Sequence, residues 1–287
     1  MSDEESDLGE KRRRGRARAR RQTLDLARYL GMFFVWNIGA SLALLVGLWS
    51  SIPFLSLGLI TCLAVWIVRS YLLGGSGGTR RRALIRPRAL SPAVLRWTLI
   101  AVPVMIFASW SLGEVWFHLV PVPPDSIQPF DFLTGNLAGK VTLAVLAVAF
   151  APVIEEFFFR GLLQSTIAKY NGPAAGILLS ATAFAAAHFL PWIFPIHFFL
   201  GVAFGYAVYV TRSIWPGVIL HAANNLAALA GLVESDTPAI TPTIWQTGLT
   251  REWWLAVLGL ALSILLLVYT ARRLREAGRL RPRFTHG

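Results

Sequence analysis

Long apolar runs separated by short polar breaks occupy most of the chain. Eight of them, at about 28–49, 52–73, 97–120, 141–163, 174–192, 195–211, 214–232 and 253–271, approach the roughly 20 residues that an apolar helix needs to cross a bilayer. The pattern predicts an all-α, polytopic helical membrane protein with about eight transmembrane helices. The breaks have characters of their own. "GGSGGTRRR" (74–82) reads as a flexible linker between the two leading spans and the later six. "PVPPDSIQPFDF" (121–132) and "ESDTPAITPT" (234–243) read as external loops. "GPAAG" (172–176) and "GVAFG" (201–205) set small residues four apart, a spacing that lets membrane helices approach closely.

Composition supports this reading. The 287 residues are 55% hydrophobic and 15% charged, whereas an ordinary soluble domain carries about 25% charged residues. The net charge of +12 matters through its placement. Almost all of the Lys and Arg fall in 11–21, 79–88, 271–283 and the turns at Lys169 and Arg212. With eight spans these all lie on one side, the positive-inside pattern, which predicts cytoplasmic N- and C-termini. The basic runs then act as topology anchors that also touch anionic lipid. No folded nucleic-acid motif accompanies them, so no nucleic-acid partner is expected.

The expected organisation is a basic, disordered cytoplasmic tail over 1–27, a membrane domain over 28–271 and a second basic cytoplasmic tail over 272–287. No apolar core with a cleavage site opens the chain, so no cleavable signal peptide is expected. Cys62 is the only cysteine, which excludes an internal disulfide and a CxxC-type metal site. Lys11, Lys140 and Lys169 are the only lysines. Such Arg-rich usage points to a prokaryotic plasma membrane.

Ionisable side chains within a span are costly and usually face the protein interior or a water-filled cavity. Here they concentrate in the last five spans. "FAPVIEEFFFRGLL" (150–163) carries Glu155, Glu156 and Arg160; the following spans carry His188, His197, and then His221 with Asn224 and Asn225. Glu156 and Arg160 are four apart and share a helix face, so they can pair. Glu155 is turned about 100° away and can face a different space. His221 and Asn225 also share a face, and Asn224 lies about 100° off it. Glu155 and His188 each stand sixteen residues from the Asn171–Gly172 turn, which puts both at roughly 20–25 Å from it if the helices run straight. His221 and Asn225 come roughly 12–18 Å beyond the turn near Ser213. Helix tilt blurs these depths enough for one cavity to hold all four.

A carboxylate paired with a histidine can act as general base on water. A second histidine and an amide can donate hydrogen bonds to a developing oxyanion. The chemistry that fits is hydrolysis of an acyl bond by water, since no serine or cysteine stands beside a base in this cluster.

The residues also match a known pattern. "EEFFFR" (155–160), "FAAAH" (184–188) and "HAANN" (221–225) resemble, in order, the EExxxR, FxxxH and HxxxN motifs of the CAAX-protease and bacteriocin-processing family of intramembrane glutamic endopeptidases, which includes the type II CAAX prenyl endopeptidase. The resemblance covers a peptidase core of about 140–232. It implies that Glu155 and His188 activate the attacking water, that His221 and Asn225 hold the oxyanion, and that Glu156, Arg160 and Phe184 support the site. It implies a membrane-associated protein or peptide substrate, prenylated in the CAAX branch, and no cofactor. The alternative is a catalytic zinc on Glu155, His188 and His221.

Other readings stand beside these. In-membrane Glu and His chains also mark proton-coupled transporters, though no inverted repeat is visible. A non-catalytic immunity or scaffold protein could keep the same fold. His197, at the start of a span, reads as a helix-end or packing residue. Glu114 and His118 read as an i,i+4 pair, and Trp97, Trp192, Trp215, Trp253 and Trp254 as interfacial anchors.

Overall fold

The computed structural model describes residues 3–72, 74, 77–120, 135–234 and 253–279, which form helices joined by turns, with no strand among the described residues. Helix α1 (Asp3–Ser50) is 48 residues long, on the order of 70 Å. Its first half is helical over the stretch expected to be a basic tail. The stretch is rich in Arg, a strong helix former. Asp7–Lys11 and Glu10–Arg14 ion pairs span successive turns, as i,i+4 pairs do in stable exposed helices.

Helix α2 (Pro53–Trp66) continues into a π-helical extension, Ile67–Leu72. Helix α3 (Gly78–Ile85) takes up most of the stretch read as a linker. Arg81 ties it down, donating from Nε to the Tyr71 carbonyl at 2.5 Å and from Nη2 to that of Gly74 at 2.9 Å. Helix α4 (Pro92–Leu119) starts at Ser91, whose hydroxyl accepts from the Val94 N–H, an N-cap.

Helix α5 (Leu137–Asn171) starts at Asn136, which caps the Gly139 N–H at 2.8 Å. It contains two π-helical stretches, Leu146–Phe150 and Phe157–Gln164. Gly172, at φ +88°, turns the chain into α6 (Pro173–Ala186). A 3₁₀ turn, Pro191–Ile193, leads into α7 (Phe194–Thr211). Arg212, at φ +53°, ends α7, and α8 (Trp215–Glu234) follows. Helix α9 is Trp253–Arg279.

Each of the eight apolar runs thus contains a helix. Among the described residues, six helices are long and apolar enough to cross a membrane, over Glu10–Gly47, Phe54–Tyr71, Pro92–Phe117, Leu137–Asn171, Pro191–Thr211 and Trp254–Arg279. The protein is a multi-pass membrane protein. The fifth run, expected as a span to 192, stops being helical at Ala186. Phe189 there takes φ +55°, and Pro191 disfavours helix in the residue before it. The eight-residue sequence "HAANNLAA" interrupts the apolar run of α8 with His221, Asn224 and Asn225. The two Pro-rich loops lie outside the described residues. Large apolar side chains such as Leu42 on α1 and Leu258, Leu262 and Leu265 on α9 are exposed, as lipid-facing surface is.

Helix α5 is the element around which the site is arranged, contacting α1, α2, α3, α6, α7 and α8. The α6–α7 approach depends on Gly201, where a Cβ would meet Ala181 Cα and Cβ at 2.9 Å. Phe33 of α1 packs edge-on against Phe158 and Phe159 of α5, and Phe159 meets Phe184 of α6. The segment between α3 and α4 is clasped to the α7–α8 turn. Ser213 Oγ donates to the Arg88 carbonyl at 2.6 Å, and the Ile214 N–H to that of Arg86 at 3.2 Å.

Candidate functional site

The second π-helical stretch begins one residue after Glu156 and includes Arg160. A π turn forms i→i+5 hydrogen bonds and is frequently found at functional sites. Side-chain hydroxyls serve the local carbonyls: Ser180 Oγ of α6 donates to the Phe159 carbonyl at 2.7 Å, and Ser165 Oγ, on α5 itself, donates to that of Arg160 at 3.3 Å.

Glu156 and Arg160 are both completely buried and pair as their spacing predicts, with Nη1 donating to Oε1 at 2.7 Å. The guanidinium also donates from Nη2 to the Gly201 carbonyl at 3.3 Å. It lies 4.2 Å from the centre of the Phe184 ring and 5.3 Å from that of Phe204, where the ring faces attract a cation. Oε2 of Glu156 points at Gly217, where a Cβ would come within 2.7 Å of it. A glycine is needed there for the helix to pass the carboxylate.

His221 on α8 stands between the two glutamates. Its Nδ1 is 3.1 Å from Glu156 Oε1, and its Nε2 is 3.9 Å from Glu155 Oε2. A carboxylate accepts, so Nδ1–H donates to Glu156 and Nε2 is directed at Glu155. The imidazole stacks on Phe204, centroids 5.1 Å apart, and meets the Phe184 ring edge-on at 5.5 Å. The Glu155 side chain is 16% exposed, and its Oε2 is buried without a hydrogen-bond partner. Arg160 compensates the charge of Glu156. The nearest group able to compensate Glu155 is His221, and a buried charge without compensation is strongly disfavoured.

His188 lies in the turn just past α6 and not on a helix. Its Nδ1–H donates to the Phe184 carbonyl at 2.8 Å, which leaves Nε2 as an acceptor in the neutral ring. Phe184 joins the two halves of the cluster, packing against His188, His221 and Arg160. Asn225 donates from Nδ2 to the Ala147 carbonyl in the first π-helical stretch, at 2.8 Å. Asn224 is turned to α4 and accepts from Ser109 Oγ at 3.1 Å.

The structure therefore brings Glu155, Glu156, Arg160, Phe184 and His221 into direct contact. His188 joins through Phe184, and Asn225 stands one turn along α8, tied to α5. Reading the sequence underrated His197. It does sit at a helix end, with Nδ1–H donating to the Ile193 carbonyl at 3.2 Å, yet its ring lies 4.0 Å from that of His188. The available signal was the pair of prolines, Pro191 and Pro195, between two histidines nine residues apart, which turns the chain back. Gly217 and Phe204 carried no motif signal. The expected Glu114–His118 pair involves a side chain, that of His118, outside the described residues. Among the described residues, no group of three or more His, Cys, Asp and Glu side chains is arranged to hold a metal ion.

A mainly apolar cavity of about 690 Å³ opens on the α2 side of α5, lined by residues such as Ala64, Val68, Val153 and Ile154, with Arg69 and Arg82 also in its wall. Ile154 immediately precedes Glu155 in the chain. Residues 137–227 match the family described as type II CAAX prenyl endopeptidase Rce1-like. That segment runs from the start of α5 into α8 and contains all three motifs, in agreement with the resemblance they carry. No curated protein and no solved structure matches the chain.

Proposed function

We propose that this multi-pass protein, with its Rce1-like segment, is an intramembrane endopeptidase that hydrolyses a peptide bond of a membrane-associated protein or peptide of the CAAX type. The observation that carries the reading is the buried Glu155 oxygen without a partner, 3.9 Å from His221 Nε2. Polar groups at that separation are commonly bridged by a water.

In the mechanism, Glu155, assisted by His188 through its free Nε2, takes a proton from water. The hydroxyl oxygen then attacks the scissile carbonyl carbon, and the C=O π pair moves onto oxygen. His221, as the imidazolium with its Nδ1–H held by Glu156, donates to that oxyanion from Nε2–H. Asn225 supplies its second amide hydrogen, the first being held by Ala147. Collapse of the tetrahedral intermediate breaks the C–N bond, and Glu155 returns its proton to the leaving nitrogen. Arg160 and Phe184 are positioning residues. Each step uses the chain's own groups and water, with no metal.

The cavity between α2 and α5 suits the apolar part of such a substrate, since binding sites of 300–1,000 Å³ lined mainly by apolar groups are usual. The test offers a prenylated CAAX peptide and a pool of membrane-derived peptides to the purified protein in detergent, with products read by mass spectrometry. Cleavage by the native protein and none by Glu155→Gln is expected. Equal cleavage by both would remove Glu155 from the reaction.

A further inference from the structure

The face of α1 that carries Arg14, Arg18 and Arg21 meets the end of α5 at Lys169 and Tyr170. Together with Ala17 these residues enclose a cleft of about 430 Å³. The cleft is built from two helices remote in sequence, held in register by a hydrogen bond from Gln22 Nε2 to Asn171 Oδ1 at 2.7 Å. Tyr170 forms its aromatic wall, with the Arg18 guanidinium 5.0 Å and the Lys169 ammonium 5.9 Å from the ring centre.

The charge of the cleft is unbalanced. Arg14 pairs with Glu10. Arg18, Arg21 and Lys169 have no carboxylate partner among the described residues. Drawing like charges together is unfavourable, by an amount that an anion between them would reverse. Arginine presents paired N–H groups that match the oxygens of a phosphate. The level of the cleft identifies the source of that phosphate. Lys169 and Asn171 end the α5 span, and past Gln22 exposed apolar side chains such as Leu24 and Leu30 appear on α1, with Asp25 and Arg28 between them. The cleft therefore sits at the edge of the hydrocarbon layer, where lipid headgroups lie, and basic pockets between helices at that level bind anionic headgroups.

We infer that the α1–α5 cleft is a binding site for the headgroup of an anionic phospholipid, filled by one lipid phosphate between Arg14, Arg18, Arg21 and Lys169. The site is remote from the glutamates and does not depend on the peptidase reading.

Helix geometry supplies a matched control. Arg12, Arg16 and Arg20 lie on the opposite face of α1 from Arg14, Arg18 and Arg21, given about 100° per residue. R14A/R18A/R21A and R12A/R16A/R20A remove equal charge, and alanine preserves the helix in both. The full chain is placed in mild detergent and titrated with phosphatidylglycerol or phosphatidylcholine, and bound lipid is counted by native mass spectrometry. The native protein should retain phosphatidylglycerol in preference to phosphatidylcholine. R14A/R18A/R21A should weaken that retention at least about tenfold and R12A/R16A/R20A less than about twofold, since each basic residue near a charged lipid surface contributes an appreciable attraction. Lys169→Ala, on the other helix, should weaken it by an intermediate factor. Equal loss in the two triple variants, or no preference for phosphatidylglycerol in the native protein, would overturn the assignment.

Discussion

His221 directs Nδ1 at Glu156 from 3.1 Å and so holds its other nitrogen toward Glu155. One glutamate orients the imidazole, and the other is left with a buried oxygen that nothing else in the fold occupies. Adjacent residues in the chain have acquired different circumstances: Glu156 Oε1 is held by both Arg160 and His221, whereas the Glu155 side chain is partly exposed and its Oε2 stands 3.9 Å from His221 Nε2.

Glu155→Gln should abolish peptide cleavage, lowering turnover by about 10²–10⁴ as loss of a general base does. The amide is nearly isosteric and removes no packing, so thermal unfolding in detergent should stay within about 0.5 kcal/mol of the native protein. A large loss of stability together with activity would assign Glu155 a structural role instead.

Arg160→Ala should be much harsher on folding. It leaves the buried Glu156 carboxylate with His221 but without its guanidinium, and breaking a buried pair in this way costs about 3–5 kcal/mol. Thermal unfolding monitored by tryptophan fluorescence measures it. An unchanged midpoint would mean that the pair is unimportant to the fold.

Phe184→Ala should destabilise by about 3–5 kcal/mol, the usual range for emptying a buried aromatic site, and should disorder His188, His221 and Arg160 together. Phe184→Leu should restore most of the stability and less of the activity, because it fills volume without supplying ring faces for the guanidinium. Equal rescue of both properties by leucine would reduce Phe184 to a space-filling residue.

Exhaustive chelation should leave cleavage unchanged. Loss of activity that added zinc restores would replace the water-only mechanism with a metal-assisted one.

Much of this arrangement was legible in the chain. Apolar run length identified the helices, and the i,i+4 spacing of Glu156 and Arg160 identified their contact. The small residues of 201–205 marked a close approach, which Gly201 makes against Ala181. The motifs identified the three elements that the site would draw on. The extent of α1 was not legible, because an Arg-rich segment is compatible with a solvated coil and with a helix docked on another. Nor was the end of α6. Local backbone preferences at Phe189 and Pro191 overrode an unbroken apolar run and left His188 in a turn beside His197. The proximity of those two rings depends on the return of the chain through Pro191–Ile193, a tertiary fact that the spacing of nine residues does not reveal.

The widened turns of Phe157–Gln164 have a consequence for labelling experiments on α5. A helical wheel drawn continuously through the helix assigns wrong directions beyond Arg160, with an error of roughly 100° for each residue the wider coil absorbs. Cysteine cross-links or spin labels placed between Ser165 and Asn171 by extrapolation from the Ala151–Glu156 face would point at the wrong neighbour. Labels there should be chosen from α6, against which that end packs. A one-residue deletion in the wide stretch should swing the whole distal end around the helix axis.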